Sequence, residues 1–166
     1  MNALWTYLWP IIAAGMVIGA IAGTVAFRRP AKRKMVMAYG IGAAIAAVAL
    51  WHWPLGGADQ FSGRIERGAR QALDYYEMTQ VTAHLQRGPL SRRLILTGPA
   101  DDFQHSELVR LLDQLPGVSS VSWAGGRGGV PLIAEAALMA FDGFLFGMLL
   151  AYLFELHRRY NAQWKW

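Results

Sequence analysis

Two long stretches of this chain contain no formally charged residue, and they constrain its fold more than any other feature. The first runs from Leu4 to Phe27 and the second from Met35 to Pro54. An α-helix needs about 20 apolar residues to cross the roughly 30 Å hydrocarbon core of a bilayer. Both stretches are long enough, so we predict that residues 1–56 form a transmembrane hairpin with spans at about 4–27 and 35–54.

A third apolar stretch, Pro131 to Leu156, contains the three acids Glu135, Asp142 and Glu155. Its length also suits a span. The alternative is a buried helix of a soluble protein, but only 16% of the chain is charged, whereas about 25% is typical of soluble domains. We therefore predict a membrane α-helical protein with three transmembrane helices and a small α+β domain outside the bilayer.

The charge distribution predicts the orientation of these spans. The loop 28–34 contains five of the 16 basic residues and no acid: Arg28, Arg29, Lys32, Arg33 and Lys34. Short basic loops stay in the cytoplasm. We therefore expect loop 28–34 and tail 157–166 in the cytoplasm, and the N-terminus and residues 57–124 on the other side of the membrane. A cleaved signal peptide does not fit, because the first charge follows the apolar run.

Tryptophans cluster near the predicted ends of the spans, where aromatic side chains mark the headgroup region. We predict that six of them anchor the protein at the two interfaces: Trp5, Trp9, Trp51, Trp53, Trp164 and Trp166.

The segment between the second and third spans has the pattern of an α+β unit. Ser62 is a candidate N-cap for a helix, and strands are predicted at 81–86 and 93–97. A second helix, capped by Asp101 or Asp102, follows, and a strand at 118–123 ends the unit. The predicted inner face of the second helix consists of Phe103, Leu108, Leu111, Leu112 and Leu115. The resulting order is helix, strand, strand, helix, strand.

Residues of about 60–123 resemble a single BON domain, a module of bacterial cell envelopes. The resemblance lies in residues 94–98 (LILTG), in Leu111-Leu112, and in Pro116-Gly117-Val118 with Val121 three positions later. It implies an envelope location and a role in binding or attachment, with phospholipid or a partner protein as the ligand. With the orientation expected above, it implies a bacterial inner-membrane protein whose N-terminus and residues 57–124 lie in the periplasm. It implies no enzymatic activity.

Small residues recur at four-residue spacing in each span, and such stripes let membrane helices approach closely. We predict that they form helix-packing or partner interfaces. The residues are Gly15, Gly19 and Gly23 in the first span, Ala38, Gly42 and Ala46 in the second, and Gly143, Gly147 and Ala151 in the third. Three helices cannot all use these stripes among themselves, which favours an assembly subunit.

Asp142 lies within the third span, on the same helical face as Glu135. Placing an acid there costs about 2.5–3.5 kcal/mol on insertion scales. We interpret the two residues as an intramembrane polar contact, with Tyr39, Thr24 or another subunit as the partner of Asp142. The other interpretation is a proton or ion path.

No catalytic residue, metal ligand or cofactor site is predicted. The chain has no cysteine, its four histidines lack ligand spacing, and residues 125–130 form a glycine-rich tether. A phospholipid is the only bound ligand we anticipate. Because residues 55–130 hold eight arginines and eight acids, they have no net charge to attract nucleic acid.

These features together predict a non-catalytic accessory or scaffold subunit of a larger membrane complex, with respiratory and photosynthetic assemblies as analogies. Its expected partners are other integral membrane subunits and membrane lipids. The alternatives are a stand-alone lipid-binding protein of envelope maintenance and, less favoured, a small conduit that uses Asp142 and Glu135.

Overall fold

The structure is a computed structural model that describes residues 2–123 and 128–163. Its elements, in chain order, are α1 (Ala3–Arg28), a 3-10 turn (Pro30–Lys32), α2 (Arg33–His52), α3 (Gly57–Tyr75), β1 (Thr82–Arg87), β2 (Leu90–Thr97), α4 (Asp102–Leu112), β3 (Ser120–Trp123) and α5 (Leu132–Gln163). Trp164, Trp166 and residues 125–127 of the predicted tether lie outside the described residues.

The chain divides into two compact units. One combines Met1–Tyr7 with Gly56–Glu135, and the other combines Leu8–Leu55 with Ala136–Trp166. We call them the sheet unit and the helical unit. The first turns of α1 therefore belong to the sheet unit, where the ring of Tyr7 lies 5.7 Å from that of Phe61 and Arg64 donates a hydrogen bond to the Thr6 hydroxyl.

The prediction of three long apolar helices is confirmed. Helices α1, α2 and α5 are each long and apolar enough to cross a membrane. The predicted loop 28–34 is shorter than expected, because Arg28 ends α1 while Arg33 and Lys34 begin α2. Arg and Lys are good helix formers, so the helices continue into the basic cluster.

Helix α5 is longer than the predicted span and includes most of the predicted tail. Two contacts at i,i+4 spacing support the extension. Arg159 lies 3.7 Å from Glu155, and the Asn161 side-chain amide lies 2.9 Å from the ring of His157. The helical segment thus continues beyond the apolar stretch into a polar end.

The sheet unit has the predicted order of helix, strand, strand, helix, strand. Strand β2 lies in the centre of the sheet, antiparallel to β1 and parallel to β3. It begins at Leu90, three residues before the predicted start, because the chain pairs immediately after the Gly88-Pro89 turn. This extension places Arg92 inside the strand.

The core of the sheet unit is formed by apolar residues of α3, α4 and the strands, since each element presents one buried face. Its fully buried residues include Ala69, Leu73, Val81, Leu85, Leu94 and Leu96. The predicted face of α4 is partly wrong. Leu108 and Leu112 are buried, Leu111 and Leu115 are only half-buried, and Phe103 is 72% exposed.

The predicted start of α3 is also wrong. Ser62 lies inside the helix and its hydroxyl donates to the Asp59 carbonyl. The helix begins at Gly57, after Gly56 with a positive φ of 72°. Glycine adopts this conformation readily, so the chain turns sharply there and α3 starts one residue later. The cap of α4 is Asp101, which forms a capping box with Gln104.

Candidate functional site

Helices α1 and α5 approach each other closely through the predicted glycine stripes. A Cβ atom on Gly15 or Gly19 would collide with the carbonyl oxygen of Ala140 or Phe144. On α5, a Cβ atom on Gly143 or Gly147 would collide with the carbonyl oxygen of Ile12 or Met16 of α1, respectively. A Cβ atom on Gly23 would come 2.9 Å from that of Ala151. Only glycine permits this backbone separation.

Phe144 joins the three long helices in the helical unit. Its backbone faces Gly19 of α1, and a Cβ atom on Gly40 of α2 would lie 2.9 Å from its ring. Phe144 is almost fully buried. Neither Gly40 nor Phe144 belongs to a predicted stripe, although Gly40, Ala44 and Val48 have the same four-residue spacing as the predicted stripe of α2.

The predicted stripe of α2 points away from this packing. Ala38, Gly42 and Ala46 are exposed, and a Cβ atom on Gly42 would have no neighbour within 4 Å. The residues that α2 buries are Gly40, Ala44, Val48 and His52. Helix α2 therefore has two faces of small residues. The face of Gly40 packs against α1 and α5, and none of the described helices packs on the predicted face of Gly42.

We expect Gly147→Ala to lower the free energy of unfolding by about 1–3 kcal/mol, because the added methyl group forces α1 and α5 apart. The matched change Gly42→Ala should leave stability unchanged or raise it by up to about 1 kcal/mol, because alanine is the better helix former. Unfolding in mixed micelles with increasing dodecyl sulfate, followed by circular dichroism, measures both values. Equal stability of the two variants would contradict the close contact of α1 with α5.

Glu135 pairs with an arginine of the sheet. Nε of Arg92 lies 2.9 Å and 3.1 Å from the two carboxylate oxygens, and both side chains are mostly buried. This pair holds the first turn of α5 against β2 within the sheet unit. No local pattern predicts this pair, because the partners are 43 positions apart.

Glu155 forms the corresponding pair near the other end of α5. It lies between Arg28, at 3.4 Å, and Arg159, at 3.7 Å. Beside it, the rings of Phe27 and Tyr152 are 5.5 Å apart, and these residues line a shallow open cleft with Leu156. Arg28, predicted as a topology residue, therefore also joins α1 to α5.

Asp142 is brought together with neither Tyr39 nor Thr24, and a partner in another subunit stays a prediction. It is exposed on α5, and among the described residues it forms no hydrogen bond or ion pair. Tyr39 is exposed on α2, and the Thr24 hydroxyl donates to the Ala20 carbonyl of its own helix. Glu135 is occupied by Arg92. The carboxyl group of Asp142 thus points out of the helical unit.

The described tryptophans lie close to helix ends. Trp5 and Trp9 are exposed on the first turns of α1, Trp53 is exposed just after α2, and Trp51 is half-buried in its last turn. Arg29 and Lys32 flank the turn between α1 and α2, where both are exposed. Their roles as interface anchors and topology residues stay predictions.

Three exposed aromatic residues flank two neighbouring turns of the sheet unit. The turns lie side by side because Gly98, with φ of 137°, approaches the backbone of Gln80 and Val81. Tyr75 and Tyr76 precede the first turn, and Phe103 follows the second. The rings of Tyr75 and Tyr76 are 5.2 Å apart. Such side chains are typical of docking surfaces.

Within residues 2–123 and 128–163, no group of three or more His, Asp or Glu side chains could hold a metal ion. No protein-family model, no curated protein and no solved structure matches the chain. The resemblance to a BON domain therefore has no support from these comparisons, and the domain's identity stays a prediction.

Proposed function

We propose that this chain is a non-catalytic accessory subunit of a larger complex in a bacterial inner membrane. Helices α1, α2 and α5 span the bilayer, with the N-terminus in the periplasm and the C-terminus in the cytoplasm. The sheet unit lies in the periplasm, where it docks on a partner protein or on lipid. The net charge of the basic cluster supports this orientation.

The observation that carries the proposal is the open stripe of α2. Lipid tails are as apolar as leucine, so membrane helices associate mainly through close backbone packing and polar contacts. Glycine contacts of this kind join α1 to α5, whereas Ala38, Gly42 and Ala46 present a similar surface with no helix on it. A helix of another subunit could approach α2 there as closely as α1 approaches α5.

The sheet unit supports a docking role outside the bilayer. It carries exposed aromatic side chains, among them Tyr75, which is 81% exposed, and Phe103, which is 72% exposed. Aromatic side chains are more frequent in protein interfaces than on the rest of the protein surface. We retain a BON-like attachment module as part of the proposal. Its support is the element order and the residues that carry the resemblance.

The positions of Glu135 and Asp142 favour a packing role over a proton or ion path. A conduit would need Glu135 and Asp142 on one continuous path. In the structure, Glu135 is paired with Arg92 and Asp142 points outward from the helical unit. We therefore assign neither acid to proton transfer.

Purification of the tagged full-length chain from its native membranes in a mild detergent tests the proposal. We expect native mass spectrometry to find the chain in a fixed stoichiometry with other integral membrane proteins. Gly42→Leu, which fills the open stripe, should reduce the recovered partner several-fold, whereas Val17→Leu at an exposed position of α1 should not. A chain recovered alone with bound phospholipid would contradict the proposal and favour the stand-alone lipid-binding protein.

A further inference from the structure

The outward face of α5 carries a leucine seam interrupted by one acid. Leu138, Asp142, Leu145 and Leu149 follow one another at spacings of four, three and four, and all are exposed. This is the 3-4 spacing by which two helices pack side by side. The opposite face of α5, which contains Gly143 and Gly147, is already occupied by α1. The seam is therefore open to lipid or to a further helix.

The two ion-paired acids of α5 place Asp142 within the apolar part of the helix. Glu135 and Glu155 are 20 positions apart, which corresponds to about 30 Å along a helix and matches the thickness of the hydrocarbon core. Asp142 follows Glu135 by seven positions, about 10 Å farther along. If the chain spans the membrane as proposed above, this carboxyl group lies in hydrocarbon, where lipid offers it no hydrogen bond.

A second copy of the chain offers poor complementarity for the seam. The 16 Lys and Arg residues all lie outside the three apolar stretches, so no copy can bring a cation to this depth. A symmetric pair of parallel α5 helices would instead place one Asp142 against the other. Two carboxylates in contact repel each other, so such a pair forms only if one of them takes up a proton, whereas a Lys or Arg compensates the charge directly.

We propose that the seam of α5 binds a transmembrane helix of another protein that carries a Lys or Arg at the depth of Asp142. The leucines pack against that helix, and the carboxylate forms an ion pair with its cation. This inference rests on the proposed function and names the chemistry of one partner. The pair would fix both the depth and the rotation of the partner helix, because only one register brings the two charges together.

The test uses the full-length chain in phosphatidylcholine vesicles with designed partner peptides. The probes are leucine-based transmembrane peptides with one central Lys, one central Gln or only Leu. The chain has no cysteine, so Asn161→Cys gives a single labelling position for energy transfer to a labelled peptide. We expect the Lys peptide to bind about tenfold more tightly than the Leu peptide. Asp142→Leu should abolish that difference, and Asp142→Asn should remove most of it.

A shifted acid provides the matched control. Leu149 lies on the same exposed seam, seven positions beyond Asp142, so Asp142→Leu with Leu149→Asp moves the carboxyl group by about 10 Å. This variant should bind a peptide whose Lys is moved by the same distance and should no longer prefer the original peptide. Circular dichroism checks that each variant keeps its helices, as expected for substitutions on an exposed face.

Three results in vesicles would overturn the inference. They are equal binding of the Lys and Leu peptides, binding of the Gln peptide as tight as that of the Lys peptide, and strong energy transfer between two copies of the chain that depends on Asp142. The last result would make a second copy the occupant. If native partners co-purify equally well with Asp142→Leu, the proposed function stands and this inference fails. If no partner co-purifies with the unaltered chain, the proposed function itself fails.

Discussion

Leu112→Ala is expected to lower the free energy of unfolding of the sheet unit by about 2–5 kcal/mol. Leu112 is 1% exposed, so truncation leaves a cavity that the neighbouring side chains fill only partly. A unit of this size buries a small core and has a low free energy of unfolding. In the variant, the sheet unit should therefore be unfolded in a large fraction of the molecules. Hydrogen exchange of the full-length chain in detergent micelles measures the effect as faster exchange in β2.

Phe103→Ala is the matched control for this change, because both residues lie on α4 and both substitutions remove a large apolar side chain. Phe103 is 72% exposed, so its truncation should change the free energy of opening of β2, measured by hydrogen exchange, by less than about 0.5 kcal/mol. Equal effects of the two substitutions would contradict the observed rotation of α4. Leu111, which is only half-buried, should fall between them.

Neutralising the basic cluster is expected to change the orientation of a large fraction of the molecules. Glutamine at Arg28, Arg29, Lys32, Arg33 and Lys34 removes the main excess of positive charge that keeps this end in the cytoplasm. Labelling of single cysteines on each side of the membrane measures the fraction inverted. Unchanged orientation would show that the cluster does not determine the topology.

A second variant separates orientation from helix packing. Arg28 contacts Glu155 at 3.4 Å, so its loss also weakens the link between α1 and α5. The variant that keeps Arg28 and neutralises only the other four residues retains this contact. Since only Arg28 then keeps its positive charge in loop 28–34, this variant should also show mixed orientation. The contact of α1 with α5 through Arg28 and Glu155 should stay intact.

The long helices and the element order of the sheet unit could be predicted because their signals are local. Uncharged stretches of sufficient length marked α1 and α2, and alternating or helical spacing marked the smaller elements. The start of α3 was missed because it depends on the positive φ of Gly56, which the apolar spacing does not report. The start of β2 was missed because Gly88-Pro89 signals a turn but not how soon pairing resumes.

The candidate site was predictable only in part because its contacts are long-range. The glycine stripes of α1 and α5 were identifiable by spacing, but α2 has two interleaved small faces, and spacing alone cannot decide which is buried. Arg28 and Glu155 are 127 positions apart, so nothing local pairs them. The outward direction of Asp142 follows from the rotation of α5 that its glycines impose.

Accessibility of introduced cysteines in right-side-out spheroplasts tests whether the chain crosses the membrane three times with its sheet unit in the periplasm. The chain has no cysteine of its own, so Ala31→Cys, Gln114→Cys and Asn161→Cys each give one exposed target. With a membrane-impermeant maleimide, we predict that position 114 is labelled in intact spheroplasts and that positions 31 and 161 are labelled only after lysis. Labelling of position 31 or 161 in intact spheroplasts, or protection of position 114, would contradict the account.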